Sequence, residues 1–151
     1  MKIFYQELMN SGKFQHENGG IPIDSGLTAD VIQAAISVHK ALGPGFLESF
    51  YEEALSLELT AMQIPFERQK AVPVRYRGKI IGEHRLDLLV AHTLVVELKT
   101  VQSLEPIHFS VVRSYMKALG VDSGILLNFA AMPLTIKRVA REYRSSEISS
   151  S

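Results

Sequence analysis

Two apolar runs, residues 86–90 and 94–98, constrain the fold of this chain more than any other feature of its sequence. Each run is typical of a buried strand, because it is rich in Leu and Val. Only the segment Ala91-His92-Thr93 separates them, and strands joined by so short a segment pair as an antiparallel hairpin. The length of the hairpin loop then decides which side chains meet across the two strands.

Two loop lengths are possible, and they give different registers. A two-residue loop, His92-Thr93, would place Asp87 opposite Leu98 and leave a lone carboxylate facing a leucine. A three-residue loop that includes Ala91 gives one uniformly apolar face, with the pairs Val90–Leu94, Leu88–Val96 and Leu86–Leu98. The hydrophobic pattern favours the three-residue loop, because a slip of one residue would mix apolar and polar side chains on both faces.

The three-residue loop places four charged residues on the other face. Asp87 then meets Glu97, and Arg85 meets Lys99. Two close carboxylates in a partly buried site repel each other unless they share a proton or hold a cation. Oxygen ligands of this kind favour Mg²⁺, Mn²⁺ or Ca²⁺, and a nearby lysine can polarise water, so the set suits metal-assisted attack on a phosphodiester. In the alternative interpretation, the two basic residues simply neutralise the two acids near strand ends.

Helical spacing precedes the hairpin. Thr28 is a candidate N-cap for a first helix, which Gly43 ends. A second helix is predicted from after Gly45 to about Met62. Its predicted apolar stripe consists of Leu47, Phe50, Tyr51, Ala54, Leu55 and Leu59. The acids that we expect mostly to face away from this stripe are Glu48, Glu52, Glu53 and Glu58.

The rest of the chain completes an alternating order of elements. Three antiparallel strands are predicted over about 69–76, 79–90 and 94–100. Pro106 begins a third helix, about 106–119, which Gly120 ends. The segment "SGILLNFA" predicts a short buried strand, and "LTIKRV" predicts one more at a sheet edge. The sequence therefore predicts one α/β domain.

Composition sets the boundaries and the compartment. Residues 1–27 predict a partly mobile arm, 28–140 the domain, and 141–151 a tail that is disordered at its end. The chain has no cysteine, and no apolar run long enough to cross a bilayer, so we expect a cytoplasmic protein without a membrane partner. Sixteen basic residues balance sixteen acidic ones, so contact with nucleic acid must come from a local patch.

Two motifs resemble a known family. Asp87 followed by Glu97-Leu98-Lys99 resembles the D…(D/E)-x-K signature of the PD-(D/E)XK nuclease superfamily. The segment "GFLESFY", from Gly45 to Tyr51, resembles the signature of the GxxExxY proteins, a bacterial and archaeal family of that superfamily. The resemblance covers about residues 28–139. It implies a restriction-endonuclease-like αβββαβ core, with a mixed sheet flanked by helices.

The resemblance also implies roles for individual residues. Asp87 and Glu97 would bind Mg²⁺ or Mn²⁺, with the Leu98 carbonyl as a further ligand, and Lys99 would be the catalytic lysine. Glu48 matches the helical acid that supports the metal or its water shell. One position departs from the family pattern. The predicted third helix keeps Tyr115, but it has Val111 where many relatives have a glutamine.

Other residues are weaker candidates. Tyr115, His108 and Tyr51 could line a cleft, and Tyr51 could bond a site carboxylate through its hydroxyl. The basic residues Lys137, Arg138 and Arg141 are candidate phosphate contacts or, equally, a solvated charge run.

Two functions remain open from the sequence. The first is a metal-dependent nuclease that hydrolyses phosphodiester bonds in nucleic acid. The second is a weakly active or inactive module of the same fold that acts through protein or nucleic-acid partners. Edge strands and apolar helix faces also leave a homodimer possible.

Overall fold

Eight helices and strands make up the part of the protein that the structure, a computed structural model, describes, residues 25–141. The helices are α1 (Ser25–Leu42), α2 (Glu48–Ala61) and α3 (Pro106–Leu119). The strands are β1 (Phe66–Tyr76), β2 (Lys79–Val90), β3 (Leu94–Lys99), β4 (Ser123–Asn128) and β5 (Thr135–Ala140). This order confirms the predicted one. None of these three helices is long and apolar enough to span a membrane.

The predicted arm and tail fall almost entirely on residues 1–24 and 142–151, which lie outside the described residues. The start of the first helix differs from the prediction. Helix α1 begins at Ser25, so Thr28 is not an N-cap but a buried residue of the first turn. The additional residues place Leu27 against the core, and this packing outweighs the local capping preference of Thr28.

The ends of α3 follow the sequence signals. Pro106 occupies the first turn, and Glu105 and His108 form a reciprocal capping box. Gly120 ends the helix with φ +68°, a left-handed conformation that glycine adopts without strain.

The sheet is mixed and its strands lie in chain order, β1-β2-β3-β4-β5. Strands β3 and β4 are parallel, and α3 makes the crossover between them. The other neighbouring strands are antiparallel, and β5 is an edge strand, as predicted. The carboxyl ends of β3 and β4 therefore meet at one end of the sheet, next to the start of α3.

Two apolar clusters cover the two faces of the sheet. The first joins α1 and α2 to β3 and β4, and the second joins α3 to residues such as Val95 and Leu126 on the other face. The contact of α3 with β4 is close at Gly124, where a Cβ would lie 2.9 Å from both Val112 Cγ1 and Met116 Sδ. The predicted strand residues thus form the middle layer of a three-layer structure.

The apolar stripe predicted for α2 is partly wrong. Leu55 and Leu59 are fully buried, but Leu47 is 69% exposed and Phe50 is 52% exposed. Neither exposed side chain belongs to the cluster under α1 and α2, although Tyr51, the neighbour of Phe50, does. Helical spacing alone could not show which members of the predicted stripe reach the core.

Tyr51 is a core residue that holds the connection between α1 and α2. Its ring is fully buried and stacks on Phe129, with the ring centroids 4.5 Å apart. Its hydroxyl donates to the Gly43 carbonyl at 2.6 Å and accepts from the Phe46 N–H at 3.2 Å. The predicted cleft-lining role of Tyr51 and its bond to a site carboxylate are therefore wrong, because the hydroxyl is used by the loop.

Removing this hydroxyl should destabilise the protein. We expect Tyr51→Phe to lower the free energy of unfolding by about 1–2 kcal/mol, because the Gly43 carbonyl and the Phe46 N–H lose their partner. Urea unfolding followed by circular dichroism measures the change. Tyr76→Phe is the matched control, since Tyr76 is 63% exposed. Equal stability of wild type and Tyr51→Phe would contradict this role.

Candidate active site

The hairpin between β2 and β3 has the predicted three-residue loop. The strand partners are Val90–Leu94, Leu89–Val95 and Leu88–Val96. Ala91 and His92 have φ values of +49° and +60°, and the Thr93 N–H donates to the Val90 carbonyl at 3.1 Å. The alternative two-residue loop is excluded by these pairs.

The regular pairing of β2 with β3 stops where Asp87 meets Glu97. The Asp87 N–H donates to Glu97 Oε1 at 2.8 Å, and the Leu98 N–H donates to Asp87 Oδ2 at 2.9 Å. Each carboxylate thus binds the main chain of the opposite strand in place of a strand-to-strand bond. The two acids are close, as the register predicted, and these reciprocal bonds fix their positions.

One predicted pair on the apolar face is wrong. Leu88 belongs to the cluster under α1 and α2, but Leu86 packs into the cluster under α3 rather than against Leu98. The alternation of faces along β2 therefore reverses at Asp87. Across the β1–β2 ladder, Gln69 lies opposite this point and has φ +49°. A residue in this left-handed conformation breaks the regular pleat.

Burial makes the ionised forms of both strand acids costly. It raises the pKa of Glu97 to about 8, with the nearby Asp87 charge as the next cause. Burial also raises the pKa of Asp87, while the bond from the Leu98 N–H acts in the opposite direction. A positive charge bound between these side chains would favour their ionised forms.

Lys99 and Glu48 lie within electrostatic reach of this pair. Lys99 ends β3, and its charge opposes the rise in pKa of both Asp87 and Glu97. Glu48 is the first residue of α2. Burial raises its pKa, attraction to Lys99 lowers it, and repulsion from Asp87 raises it. The structure therefore brings together the four residues predicted from the sequence.

Two residues near the site were missed by the sequence analysis. Glu52, one turn after Glu48 on α2, is buried and is paired with Arg68 at 3.0 Å, although we expected it to face away. Gln69 Nε2 donates to Glu52 Oε1 and, at 3.3 Å, to Asp87 Oδ1. The four-residue spacing from Glu48 was the available signal for Glu52. No local pattern indicated Gln69.

Of the other candidates from α3, Tyr115 lies near the two strand acids. The Tyr115 hydroxyl donates to the Arg85 carbonyl at 3.2 Å. Burial raises the pKa of Tyr115 to about 12, with further contributions from the charges of Glu97 and Asp87. His108 Nδ1 accepts from the Glu105 N–H at 2.9 Å, which is its capping contact. Val111 is half-buried against the second apolar cluster.

The candidate phosphate contacts lie on or just after the edge strand β5. Lys137 pairs with Leu126 in the sheet and Arg138 pairs with Ile125, so successive side chains point to opposite faces. Arg141 Nη1 lies 3.5 Å from Asp122 Oδ1. These three residues do not form one continuous patch, and their contact with phosphate stays a prediction.

The donor set suits a divalent metal ion that is bound together with substrate. Within residues 25–141, no three His, Cys, Asp or Glu side chains converge as a ready metal cluster. Mg²⁺, however, is commonly held by one or two carboxylates together with substrate phosphates and water. The buried oxygens of Asp87 and Glu97 fit that requirement, since their charges repel each other in the absence of a cation.

Comparisons with known proteins concern the fold and the family of the chain. No curated protein is a significant match. The fold is similar to the crystal structure of SSO0001, with a TM-score of 0.51, 14% identity, and 98% of this chain and 81% of that chain covered. A crystal structure of an alkaline exonuclease from Laribacter hongkongensis has a TM-score of 0.47 and 12% identity, with 87% and 76% covered.

The sequence itself identifies the family. It matches the family model of the PD-(D/E)XK nuclease superfamily over residues 25–139, a range that includes all four predicted site residues. The five-stranded mixed sheet between helices is consistent with the restriction-endonuclease-like fold that the motifs implied. Because the match covers most of the chain, this protein belongs to the PD-(D/E)XK nuclease superfamily.

Proposed function

We propose that this protein is a metal-dependent nuclease that hydrolyses phosphodiester bonds in nucleic acid. The observation that carries the proposal is the reciprocal bonding of Asp87 and Glu97 to the main chain of each other's strand. This arrangement holds two carboxylates close together in a site where they repel each other. A bound cation would offset that repulsion. A purely structural pair would be more stable as neutral side chains.

In this proposal, Asp87 and Glu97 would hold Mg²⁺ or Mn²⁺, with the Leu98 carbonyl as a further ligand. A metal ion held there would supply positive charge next to the phosphate and lower the pKa of water. The Lys99 ammonium stabilises the negative charge that develops on the phosphate oxygens as water attacks. Glu48, whose pKa is raised by burial and whose charge interacts with those of Lys99 and Asp87, would accept a hydrogen bond from the attacking water or the water around the metal.

We also propose that the protein belongs to the GxxExxY family within the superfamily. The contacts of Gly45, Glu48 and Tyr51 support this proposal. Gly45 has φ +115°, a conformation that suits glycine, and Tyr51 holds the same loop through its hydroxyl. Together they set where α2 begins and therefore where Glu48, its first residue, meets the sheet.

Metal binding is the direct test of the carboxylate site. Titration calorimetry with Mg²⁺ and with Mn²⁺ should show binding by wild type and a loss of at least about tenfold in Asp87→Asn, since one of two charged ligands is removed. Glu58→Gln is the matched control, because it removes an exposed carboxylate from the outer face of α2.

The outcome decides between two functions. If wild type binds neither ion, even with a short non-cleavable oligonucleotide present, the nuclease proposal fails. A non-catalytic module would then be favoured, and Val111 supports that second candidate, since its apolar side chain replaces the glutamine of many relatives.

A further inference from the structure

The β1–β2 ribbon, residues 71–85, extends beyond the rest of the sheet. Strand β2 pairs with β3 only from Leu88 to Val90, but it pairs with β1 as far as Lys79. All residues from 73 to 85 are exposed. The ribbon carries four basic residues and one acidic residue, whereas the whole chain has no net charge. It is thus the local basic surface that the overall composition does not reveal.

A groove of about 530 Å³ lies between this ribbon and α3. This volume falls in the range of sites that hold small ligands or single groups of larger ones. Its apolar surface includes Val72, Val74 and Ala118, and its polar surface includes the basic residues Arg75 and Lys117. Within the described part of the chain, no acidic residue lines it. Such a lining suits a ligand that is both flat and anionic.

The two basic side chains of the groove are available for a ligand. Among residues 25–141, neither Arg75 nor Lys117 forms an ion pair, and both are exposed. Two rings lie beside them, because His84 and Tyr115 also line the groove, with centroids 6.0 Å apart at an interplanar angle of 66°. Rings next to unpaired cations are the features that recognise nucleotides in a single strand.

The groove adjoins the carboxylate site. Tyr115 lines the groove, and its hydroxyl donates to the carbonyl of Arg85, two residues before Asp87. Two residues of strand span about 7 Å. The charges of Asp87 and Glu97 also reach the Tyr115 hydroxyl. A strand whose phosphate lies at the carboxylates can therefore place a neighbouring nucleotide in the groove.

We propose that this groove binds an unpaired nucleotide of a single-stranded nucleic acid next to the cleavage site. Arg75 and Lys117 contact the phosphates, and the exposed His84 contacts the base above the apolar lining of the groove, while the buried Tyr115 supports the His84 ring. The inference rests on the proposed nuclease function, because it names the substrate class of that site. It also goes further, since a base in the groove must be free of its partner strand.

Binding without metal separates the groove from catalysis. Fluorescence anisotropy with a labelled oligothymidylate in EDTA should show about tenfold weaker binding by the double variant R75A/K117A at low salt. The slope of log affinity against log salt should fall by about 1.4, since each single-strand phosphate contact contributes about 0.7. The double variant R77A/K79A is the matched control. It removes the same charge from the ribbon tip, outside the groove lining, and should stay within about twofold of wild type.

Several results would overturn the proposal. Equal losses in the two double variants would show diffuse charge rather than a site, and unchanged affinity in R75A/K117A would show that the strand lies elsewhere. If an unlabelled duplex displaces the labelled strand as well as an unlabelled single strand does, the groove is not specific for single-stranded nucleic acid. If light scattering shows a dimer that R75A/K117A dissociates, a second copy of the chain occupies the groove.

Failure of the groove and failure of the nuclease proposal can be told apart. Single-strand binding that depends on Arg75 and Lys117, without any cleavage, would overturn only the nuclease function. If wild type cleaves nucleic acid and R75A/K117A binds the oligonucleotide with unchanged affinity, only the proposal about the groove is overturned.

Discussion

The substitution Lys99→Ala is expected to reduce cleavage of nucleic acid by roughly 100- to 1,000-fold, because it removes the positive charge that stabilises the transition state. Lys99 ends β3 on the same face as Glu97, and its charge acts on Asp87, Glu97 and Glu48. The measurement is single-turnover cleavage of labelled DNA and RNA with Mg²⁺ or Mn²⁺. Single-turnover conditions report the chemical step rather than product release.

Two controls make this result specific. Lys79→Ala removes an exposed lysine at the tip of the ribbon and should leave the rate unchanged. Binding of the metal by Lys99→Ala should persist, since the carboxylates are intact. A Lys99→Ala variant that cleaves as fast as wild type would remove Lys99 from the mechanism, whatever its effect on stability.

The substitution Glu97→Gln is expected to stabilise the metal-free protein at pH 8 by roughly 2–4 kcal/mol. Burial raises the pKa of Glu97 from its ordinary value of 4.5 to about 8. Between these two values the folded protein binds more protons than the unfolded chain, so stability falls as pH rises. A glutamine carries no charge at any of these pH values, and its oxygen can still accept from the Asp87 N–H.

The pH dependence distinguishes this effect from simple repacking. Urea unfolding in EDTA should show a difference between Glu97→Gln and wild type that is small near pH 4.5 and grows towards pH 8. Glu58→Gln, which removes an exposed acid, should show no such growth. A difference that is equal at both pH values would mean that Glu97 is not ionising inside the fold. The stabilised variant should also lose cleavage, as expected if the site is kept at a cost in stability.

The hairpin shows how far the sequence alone could go. The apolar pattern selected the three-residue loop, and the observed pairs confirm it from Val90–Leu94 to Leu88–Val96. The same pattern failed at Leu86, because the reversal of faces at Asp87 depends on Gln69. Gln69 lies on a different strand, so no analysis of β2 and β3 could include it.

The acids of α2 show the same limit. Helical spacing placed them on the helix, and the motif singled out Glu48, but Glu52 was expected to face away. It is buried because Arg68 and Gln69 of β1 lie against it. Whether an acid on a helix is exposed depends on which residues of other elements pack against it. Such contacts join parts of the chain that are distant in sequence.

The order of the elements, the register of the central hairpin and the closeness of Asp87, Glu97 and Lys99 could all be predicted from sequence patterns. These follow from local rules, since side chains alternate along a strand and the loop length fixes which residues meet. The burial of the carboxylates, the contacts of Glu52 and Gln69, and the groove beside α3 could not be predicted in this way. Burial and charge at these places depend on how the helices pack on the sheet. That packing brings together residues that are far apart in the chain, so no local sequence pattern can indicate it.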